Sequence, residues 1–200
     1  EQPITLEDHQ NSRWIVEPLH LLDCCQESDG GQAIVVTSTE RARDLPNPPA
    51  VISAAAQGTY PEQEMMTSYY RPQLGIPEMG IVAEQLYATA GIGPDDIQTA
   101  ILYDAFSPMV LLTLEEFRFC PRGEAKDFLR DGNIEADGRL PINTNGGQLG
   151  EAYIHGMNGI AEAVRQVRGT SVNQVANVEN VLATAGTGVP TSALILHPDR

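Results

Sequence analysis

The sequence predicts an α/β fold with a mixed sheet, and three observations support that class. Apolar residues make up 42% of the 200 residues, which is enough to build a buried core. Aromatic residues are scarce at 6%, while 18 glycines and 14 prolines supply many tight turns between short elements. Short apolar runs alternate with segments of helical periodicity, which favours layered strands and helices over a helical bundle.

A predicted strand and a short helix occupy the later part of the first 48 residues. Turn-forming residues at positions 28–31 precede the apolar, β-branched run 33–37, which predicts a buried strand. Ser38 then stands where a side chain can cap a brief helix that ends at Leu45.

A proline cluster at positions 46–49 predicts the boundary between two structural halves, because proline cannot continue a helix. We therefore divide the chain into residues 1–48, the end of a first half, and residues 49–200, a second half. An apolar strand is expected over residues 50–56. The polar segment 58–76 that follows has about 19 residues, a length typical of functional or disordered loops.

The middle of the chain predicts a helix, a strand and a second helix. Apolar positions over residues 78–90 recur at helical spacing, and a glycine follows where a left-handed cap ends a helix. The strand predicted over residues 99–103 ends in Tyr103 and Asp104, and helical periodicity resumes over residues 105–119. These two side chains thus come at the carboxyl end of a strand, where open α/β sheets bind their ligands.

The same order of strand, loop and helix recurs in the last third of the chain. Residues 140–143 predict a short strand, and residues 145–150 form a glycine-rich loop. A helix is expected from about Ala152 to Val167, with Tyr153 on its first turn. Two closing strands are near enough in sequence to form a hairpin, which makes the sheet mixed. These strands comprise residues 178–184 and 192–196.

Charge and cysteine content exclude several classes of protein. Twelve basic residues face 27 acidic ones, and a net charge of −15 would repel the phosphate backbone of a nucleic acid. Cys24, Cys25 and Cys120 are odd in number and lack metal-ligand spacing, which favours a reducing, cytoplasmic setting without a structural metal. No apolar run reaches the roughly 18 residues of a membrane span. The chain begins at Glu1 without a leader, so we expect a preceding part of a longer protein.

Several candidate sites have a structural interpretation as well as a functional one. The glycine-rich loop could cradle an anion, yet it lacks the pattern of a phosphate-binding loop, and taken alone it favours a tight turn. The cysteines are expected to be buried small apolar residues. His155 lies close to the glycine loop, where a lone histidine is more often a hydrogen-bonding residue than a catalyst. Tyr69, Tyr70 and Arg71 in the long loop either cover a substrate or anchor the loop.

Four motifs occur in the order and spacing of a known family. The sequence resembles the thiolase superfamily, specifically the sterol-carrier-protein-type thiolases and their lipid-transfer-protein-like relatives, from about Trp14 to Leu196. The resemblance implies a duplicated βαβαβ layered core, of which this chain covers the end of the first half and the whole second half. The motifs are Ser-Asp-Gly-Gly-Gln-Ala at positions 28–33, Tyr103-Asp104-Ala105-Phe106, Asn145-Gly146-Gly147 and Ala152-Tyr153-Ile154.

Two departures from the family pattern change the chemistry that the resemblance implies. Such thiolases carry His-Asp-Cys-Phe at positions 103–106 and Gly-His-Pro at positions 152–154, so both histidines are tyrosines here. In the family, one histidine activates the nucleophilic cysteine and the other helps to form an oxyanion hole. The segment 183–188 also lacks the acid/base cysteine of many thiolases. We therefore do not expect Claisen chemistry through an acyl-cysteine.

Paired tyrosines at these positions resemble the thiolase-like aldolases of steroid side-chain degradation. This resemblance implies retro-aldol cleavage of a β-hydroxyacyl-CoA to a ketone and a short acyl-CoA such as propionyl-CoA. Tyr103 and Tyr153 would carry the two proton transfers, and Asp104 and His155 are the nearest groups that could tune or relay them. As a hypothesis, Tyr103 lies near the substrate hydroxyl and Tyr153 near Cα.

The resemblance also implies partners and a substrate lining. It predicts a thiolase-type homodimer, an OB-fold partner associated with an acyl-CoA hydratase, and no cofactor beyond the CoA of the substrate. Three alternatives stay open: a true thiolase with its cysteine outside these residues, a non-catalytic acyl-CoA or lipid-binding protein, and tyrosines that only fill space. The predicted substrate-binding residues are Gly146, Gly147, Tyr69, Tyr70 and Arg71.

Overall fold

The computed structural model of the chain describes residues 3–61, 72, 75–186 and 191–199. Only short elements occur among the described residues before position 46. They are helix α1 (Leu6–Asn11), strands β1 (Trp14–Val16) and β2 (Leu19–His20), a 3-10 turn (Leu21–Asp23) and helix α2 (Thr39–Ala42). A capping box, in which the Thr5 hydroxyl accepts from the Asp8 backbone N–H, begins α1. β1 and β2 form an antiparallel hairpin.

The prediction of a buried strand at residues 33–37 is wrong. This run has no regular structure, and Val35 and Val36 are 85% and 75% exposed. No described strand lies beside it, and a strand without a ladder partner leaves its backbone N–H and C=O groups unpaired. The helix after Ser38 is also shorter than predicted, since it ends at Ala42.

A four-stranded mixed sheet forms the centre of the remaining chain, as the sequence predicts. The four strands are β3 (Ala50–Gly58), β4 (Thr99–Ile101), β5 (Val181–Ala185) and β6 (Thr191–Pro198). Their order in the sheet is β3-β6-β5-β4, with β6 antiparallel to both of its neighbours and β4 parallel to β5. The strands β5 and β6 are the closing pair that the sequence predicts.

One face of the sheet carries helix α3 (Pro77–Ala90), which packs directly on β3 and β6, and two further helices contribute to the same apolar cluster. Along α3 the side chains of Met79, Val82 and Leu86 are fully buried at helical spacing, and Gly91 closes the helix in the left-handed conformation. The predicted helix over 78–90 is thereby confirmed. The three helices are α3 (Pro77–Ala90), α4 (Ser107–Glu116) and α5 (Ala125–Arg130).

The opposite face carries a second apolar cluster under the last long helix. The one-turn helix α6 (Gly147–Gly150) precedes α7 (Met157–Arg168), which packs on β4, β5 and β6. Alternate residues of β5 serve the two faces, because successive strand side chains point to opposite sides. Val181 and Ala183 join the α7 cluster, whereas Leu182 joins the cluster on the α3 face.

Two elements next to the candidate site differ from the predictions. The last long helix begins at Met157 instead of Ala152, so Tyr153 lies in the loop before it, because His155 and Gly156 have left-handed backbone angles (φ 50° and 85°). Residues 140–143 form a single parallel bridge through Ile142 instead of a strand. Proline at position 141 cannot donate to a ladder, which limits pairing there.

Candidate active site

Two tyrosine hydroxyls that are 50 residues apart in sequence meet at the carboxyl end of β4. The hydroxyl of Tyr103 lies 3.2 Å from that of Tyr153, and the two rings meet edge to face with centroids 6.5 Å apart. Two phenols at this distance share a hydrogen bond along which a proton can pass.

Side-chain hydrogen bonds stop β4 and place Tyr103. The backbone N–H of Leu102 donates to Asn143 Oδ1 at 2.6 Å, and that of Tyr103 donates to Thr184 Oγ1 at 2.9 Å. The two backbone N–H groups thus bond to side chains instead of to a neighbouring strand, so the chain leaves the sheet at the tyrosine. The ring then lies against Gly156, where an added Cβ would be 3.3 Å from the ring carbon Cδ2. Glycine at this position thus leaves the room that the ring needs.

Tyr153 is held by the start of α7 and by its neighbours in the loop. The buried Asn158 side chain donates to the Ala152 carbonyl at 2.9 Å and to Glu151 Oε2 at 3.0 Å. On the outer side, an isolated β-bridge joins Tyr153 to Glu27. The exposed His155 ring lies with its centroid 4.4 Å from that of Tyr153. His155 is therefore beside the pair, as the sequence hypothesis requires.

Asp104, the residue after Tyr103, is buried and supports the glycine-rich turn. Its Oδ1 accepts from the Gln148 backbone N–H at 2.7 Å. A Cβ on Gly147 would collide with this carboxylate, and both Gly146 and Gly147 have left-handed angles (φ 99° and 65°). Burial raises the pKa of Asp104 despite the hydrogen bonds that favour its charged form. The predicted substrate contacts of the two glycines stay a prediction.

The surroundings of Tyr103 favour its neutral form. Burial raises its pKa well above the ordinary value of a phenol, and the hydrogen bond to Tyr153 and the nearby Cys25 and Asp104 act in the same direction. The place of Cys25 near this ring was not predicted, since we expected a buried small apolar residue. Cys24 and Cys25 are half-buried, whereas Cys120 is buried as predicted. Vicinal cysteines carry no sequence signal for a place beside a distant tyrosine.

Three further predictions concern the long loop, metal ligands and membrane spans. Tyr69, Tyr70 and Arg71 lie outside the described residues. Within the described ranges, no group of three or more His, Cys, Asp or Glu side chains is arranged to hold a metal ion. In the same part of the chain, no helix has the length and apolar character needed to cross a bilayer.

Comparisons with known proteins agree on one family. The profile of the family described as thiolase C-terminal domain-like matches residues 62–197. A steroid side-chain-cleaving aldolase of Thermomonospora curvata is 75% identical and is aligned over 100% of this chain and 51% of its own length. A 17-hydroxy-3-oxo-4-pregnene-20-carboxyl-CoA lyase of Mycobacterium tuberculosis is 71% identical over 98% of this chain and 51% of its own length.

A solved structure described as an Ltp2-ChsH2(DUF35) aldolase has the same fold. It superposes with a TM-score of 0.97 at 75% identity, over 100% of this chain and 52% of that chain. The chain thus spans about half the length of the curated relatives it matches. From the matched profile and these identities, the chain belongs to the thiolase superfamily, in its thiolase C-terminal domain-like family, with relatives among the steroid side-chain-cleaving aldolases.

Proposed function

We propose that the protein catalyses retro-aldol cleavage of a β-hydroxyacyl-CoA on a steroid side chain. The products are a ketone and a short acyl-CoA such as propionyl-CoA, and no acyl-cysteine intermediate forms. The names of the two curated relatives support this substrate class. The observation that carries the proposal is the hydrogen bond between Tyr103 and Tyr153. The thiolases that the sequence resembles have histidines at these two positions.

The proton requirement of this reaction suits a pair of phenols. The β-hydroxyl loses its proton and becomes the ketone carbonyl as the Cα–Cβ bond breaks. The electron pair of that bond passes into the thioester as an enolate, and Cα then takes up one proton. One proton is released and one is taken up, so the cleavage needs no oxidant, reductant or second substrate.

Tyr103 and Tyr153 can perform these transfers as a relay. At pH 7 a phenol with a pKa of about 10 is ionised in about one molecule per thousand, a deficit of about 4 kcal/mol. The raised pKa of Tyr103 disfavours a standing phenolate even more. We assign Tyr103 to accept the proton of the substrate hydroxyl while it donates its own proton to Tyr153 along the 3.2 Å hydrogen bond. In the same step Tyr153 passes its own hydroxyl proton to Cα, so both phenols are neutral before and after the cleavage.

The other site residues support this relay. Asp104 holds the turn of Gly146 and Gly147 below the tyrosines, and His155 packs beside the Tyr153 ring. We further propose that the two glycines, with Tyr69, Tyr70 and Arg71, line the substrate site. No cofactor is required beyond the CoA that the substrate carries.

Partners and location complete the proposal. The solved relative is described as an Ltp2-ChsH2(DUF35) aldolase, and we propose an OB-fold partner associated with an acyl-CoA hydratase for this protein. We also propose a thiolase-type homodimer, which the resemblance supports, and a cytoplasmic location, which the cysteine pattern supports.

Product analysis by mass spectrometry tests the proposed function. The intact protein, with its OB-fold partner, is given a tertiary β-hydroxyacyl-CoA of a steroid, with and without free CoA. Cleavage to a ketone and a short acyl-CoA without free CoA is the expected result. Cleavage of a β-ketoacyl-CoA only with free CoA would identify a thiolase. Binding without turnover of either substrate would identify an acyl-CoA-binding protein, and each of these two results would overturn the proposal.

A further inference from the structure

We propose that Asp23 is a positioning residue for the tyrosine pair. It acts through residues 23–28, which we name the crossing segment. The inference rests on the proposed function, because it concerns the rate of the same reaction. It adds a residue that lies outside both loops that carry the tyrosines.

The carboxylate of Asp23 joins three parts of the chain. The residue is 8% exposed at the end of a 3-10 turn, Leu21–Asp23. Its Oδ1 accepts from Ser107 Oγ at 2.5 Å and lies 2.9 Å from His9 Nε2, and its Oδ2 accepts from the His20 backbone N–H at 2.8 Å. Together the hydrogen bonds lower its pKa although burial opposes them. A buried carboxylate with this many donors fixes the positions of its partners.

Ser107 connects this carboxylate to the loop of Tyr103. It is the first residue of α4, and the loop that holds Tyr103, Asp104 and Ala105 ends directly before that helix. A movement of the start of α4 relative to Asp23 therefore changes the path of the loop that carries the first tyrosine.

Beyond Asp23, the crossing segment contacts both tyrosine loops in turn. The backbone N–H of Cys25 donates to the Ala105 carbonyl at 3.0 Å. Two residues later, Glu27 forms a parallel β-bridge with Tyr153. The crossing segment thus contacts the loop of Tyr103 and the loop of Tyr153, and the hydrogen bonds of Asp23 hold the buried end of this segment.

The distance between the two tyrosine hydroxyls depends on these contacts of the crossing segment. Hydrogen bonds weaken steeply as the two atoms move apart or out of line, and a displacement of about 1 Å in a catalytic geometry can lower a rate by about 100-fold. Loosening the anchor should therefore lower kcat, which reports the proton transfers. It should leave KM nearly unchanged, because Asp23 lies outside the loops that hold the tyrosines.

The test compares four variants of the intact protein in the cleavage assay. Asp23→Asn keeps the shape of the side chain and removes its charge, and Ser107→Ala removes the donor on α4. We expect Asp23→Asn to lower kcat by about tenfold with KM within about twofold of the wild type. The double variant should be no slower than the slower single variant, because both changes act on the same contact between residue 23 and the start of α4. Glu7→Gln removes the same charge from an exposed position on α1 and should keep the wild-type kcat.

A measurement that needs no substrate separates this inference from the proposed function. The Cys25 backbone N–H donates to the Ala105 carbonyl, so its hydrogen exchange reports whether the crossing segment stays attached to the loop of Tyr103. Exchange of this N–H should be faster in Asp23→Asn and unchanged in Glu7→Gln. Wild-type kcat and unchanged exchange in Asp23→Asn, with only a lower unfolding temperature, would overturn the inference. An inactive wild type would instead overturn the proposed function.

Discussion

The residues up to position 45 and the layered unit from position 50 onward use apolar side chains in opposite ways. In the layered unit, Leu182 and Ile195 are fully buried between the sheet and its helices. In the first region Trp14, Val16 and Val35 are more than half exposed. Apolar runs occur in both regions, so an apolar run alone does not decide burial. Burial requires a second packed layer of structure, and the described part of the first region has none.

Polar contacts hold the first region to the second. His9 and Ser107 meet at Asp23, and Arg43 makes a bidentate pair with Asp199 at 2.6 and 2.7 Å. Contacts of this kind orient a segment more than they stabilise a fold. We therefore expect damage in the layered unit to unfold the chain and damage in the first region to act mainly on the site.

The largest expected difference between the regions is in core truncation. Leu182→Ala should lower the free energy of unfolding by about 3 kcal/mol, since it leaves a cavity in the fully buried centre of the sheet. Val36→Ala, at a side chain that is 75% exposed, should change it by less than about 0.5 kcal/mol. Urea unfolding of the intact protein measures both changes. Equal losses would contradict the contrast between the two regions.

A smaller effect is expected within the turn that Asp104 supports. Gly147→Ala should lower the free energy of unfolding by about 1–2 kcal/mol for the left-handed angle alone. It should also displace the carboxylate of Asp104, which occupies the space of the new methyl group. Gly150→Ala is the matched control in the same turn, because nothing lies within 4 Å of its added Cβ. A neutral Gly147→Ala in thermal unfolding would show that the turn does not need glycine.

The smallest effects concern two buried carboxyls with opposite pKa shifts. The pKa of Asp104 is raised by burial, so its folded form keeps a proton that the unfolded chain loses near pH 4, and stability falls as pH rises through that window. The pKa of Asp23 is lowered, so its contribution is present above about pH 4 and is lost as pH falls below it.

Asparagine variants of the two residues isolate these contributions. Relative to Asp104→Asn, the wild type should lose stability between about pH 4 and neutral pH. Relative to Asp23→Asn, it should lose stability below about pH 4. Unfolding curves at several pH values measure both differences, and slopes of the same sign would contradict the assigned environments.

The fold class and most long elements could be predicted because their signals are local. The helical spacing of Met79, Val82 and Leu86 and the following glycine define α3 in the sequence as clearly as in the structure. The prediction of a strand at residues 33–37 was wrong because a strand pattern indicates only that the residues prefer a sheet. It does not indicate whether a neighbouring strand is present. The predicted start of α7 was wrong because His155 has a left-handed backbone angle. Histidine also occurs inside helices, so the sequence gives no sign of this angle.

The candidate site was partly predictable for a similar reason. Tyr103 and Tyr153 stand at motif positions, so their departure from the family pattern could be recognised before their 3.2 Å contact was known. Asp23, His9 and Ser107 belong to no motif, and their contact depends on how an early segment lies against the start of α4. Contacts between distant segments that have no shared spacing become visible only in three dimensions.

The measurement that tests the central claim most directly is the single-turnover cleavage rate of Tyr103→Phe, Tyr153→Phe and the double variant. Each phenylalanine keeps the ring and removes the hydroxyl that the relay requires. We predict that each single variant loses about 100- to 10,000-fold in rate and that the double variant is no slower than the slower single variant. The wild-type rate in either single variant would contradict the claim that the two phenols act as one proton relay.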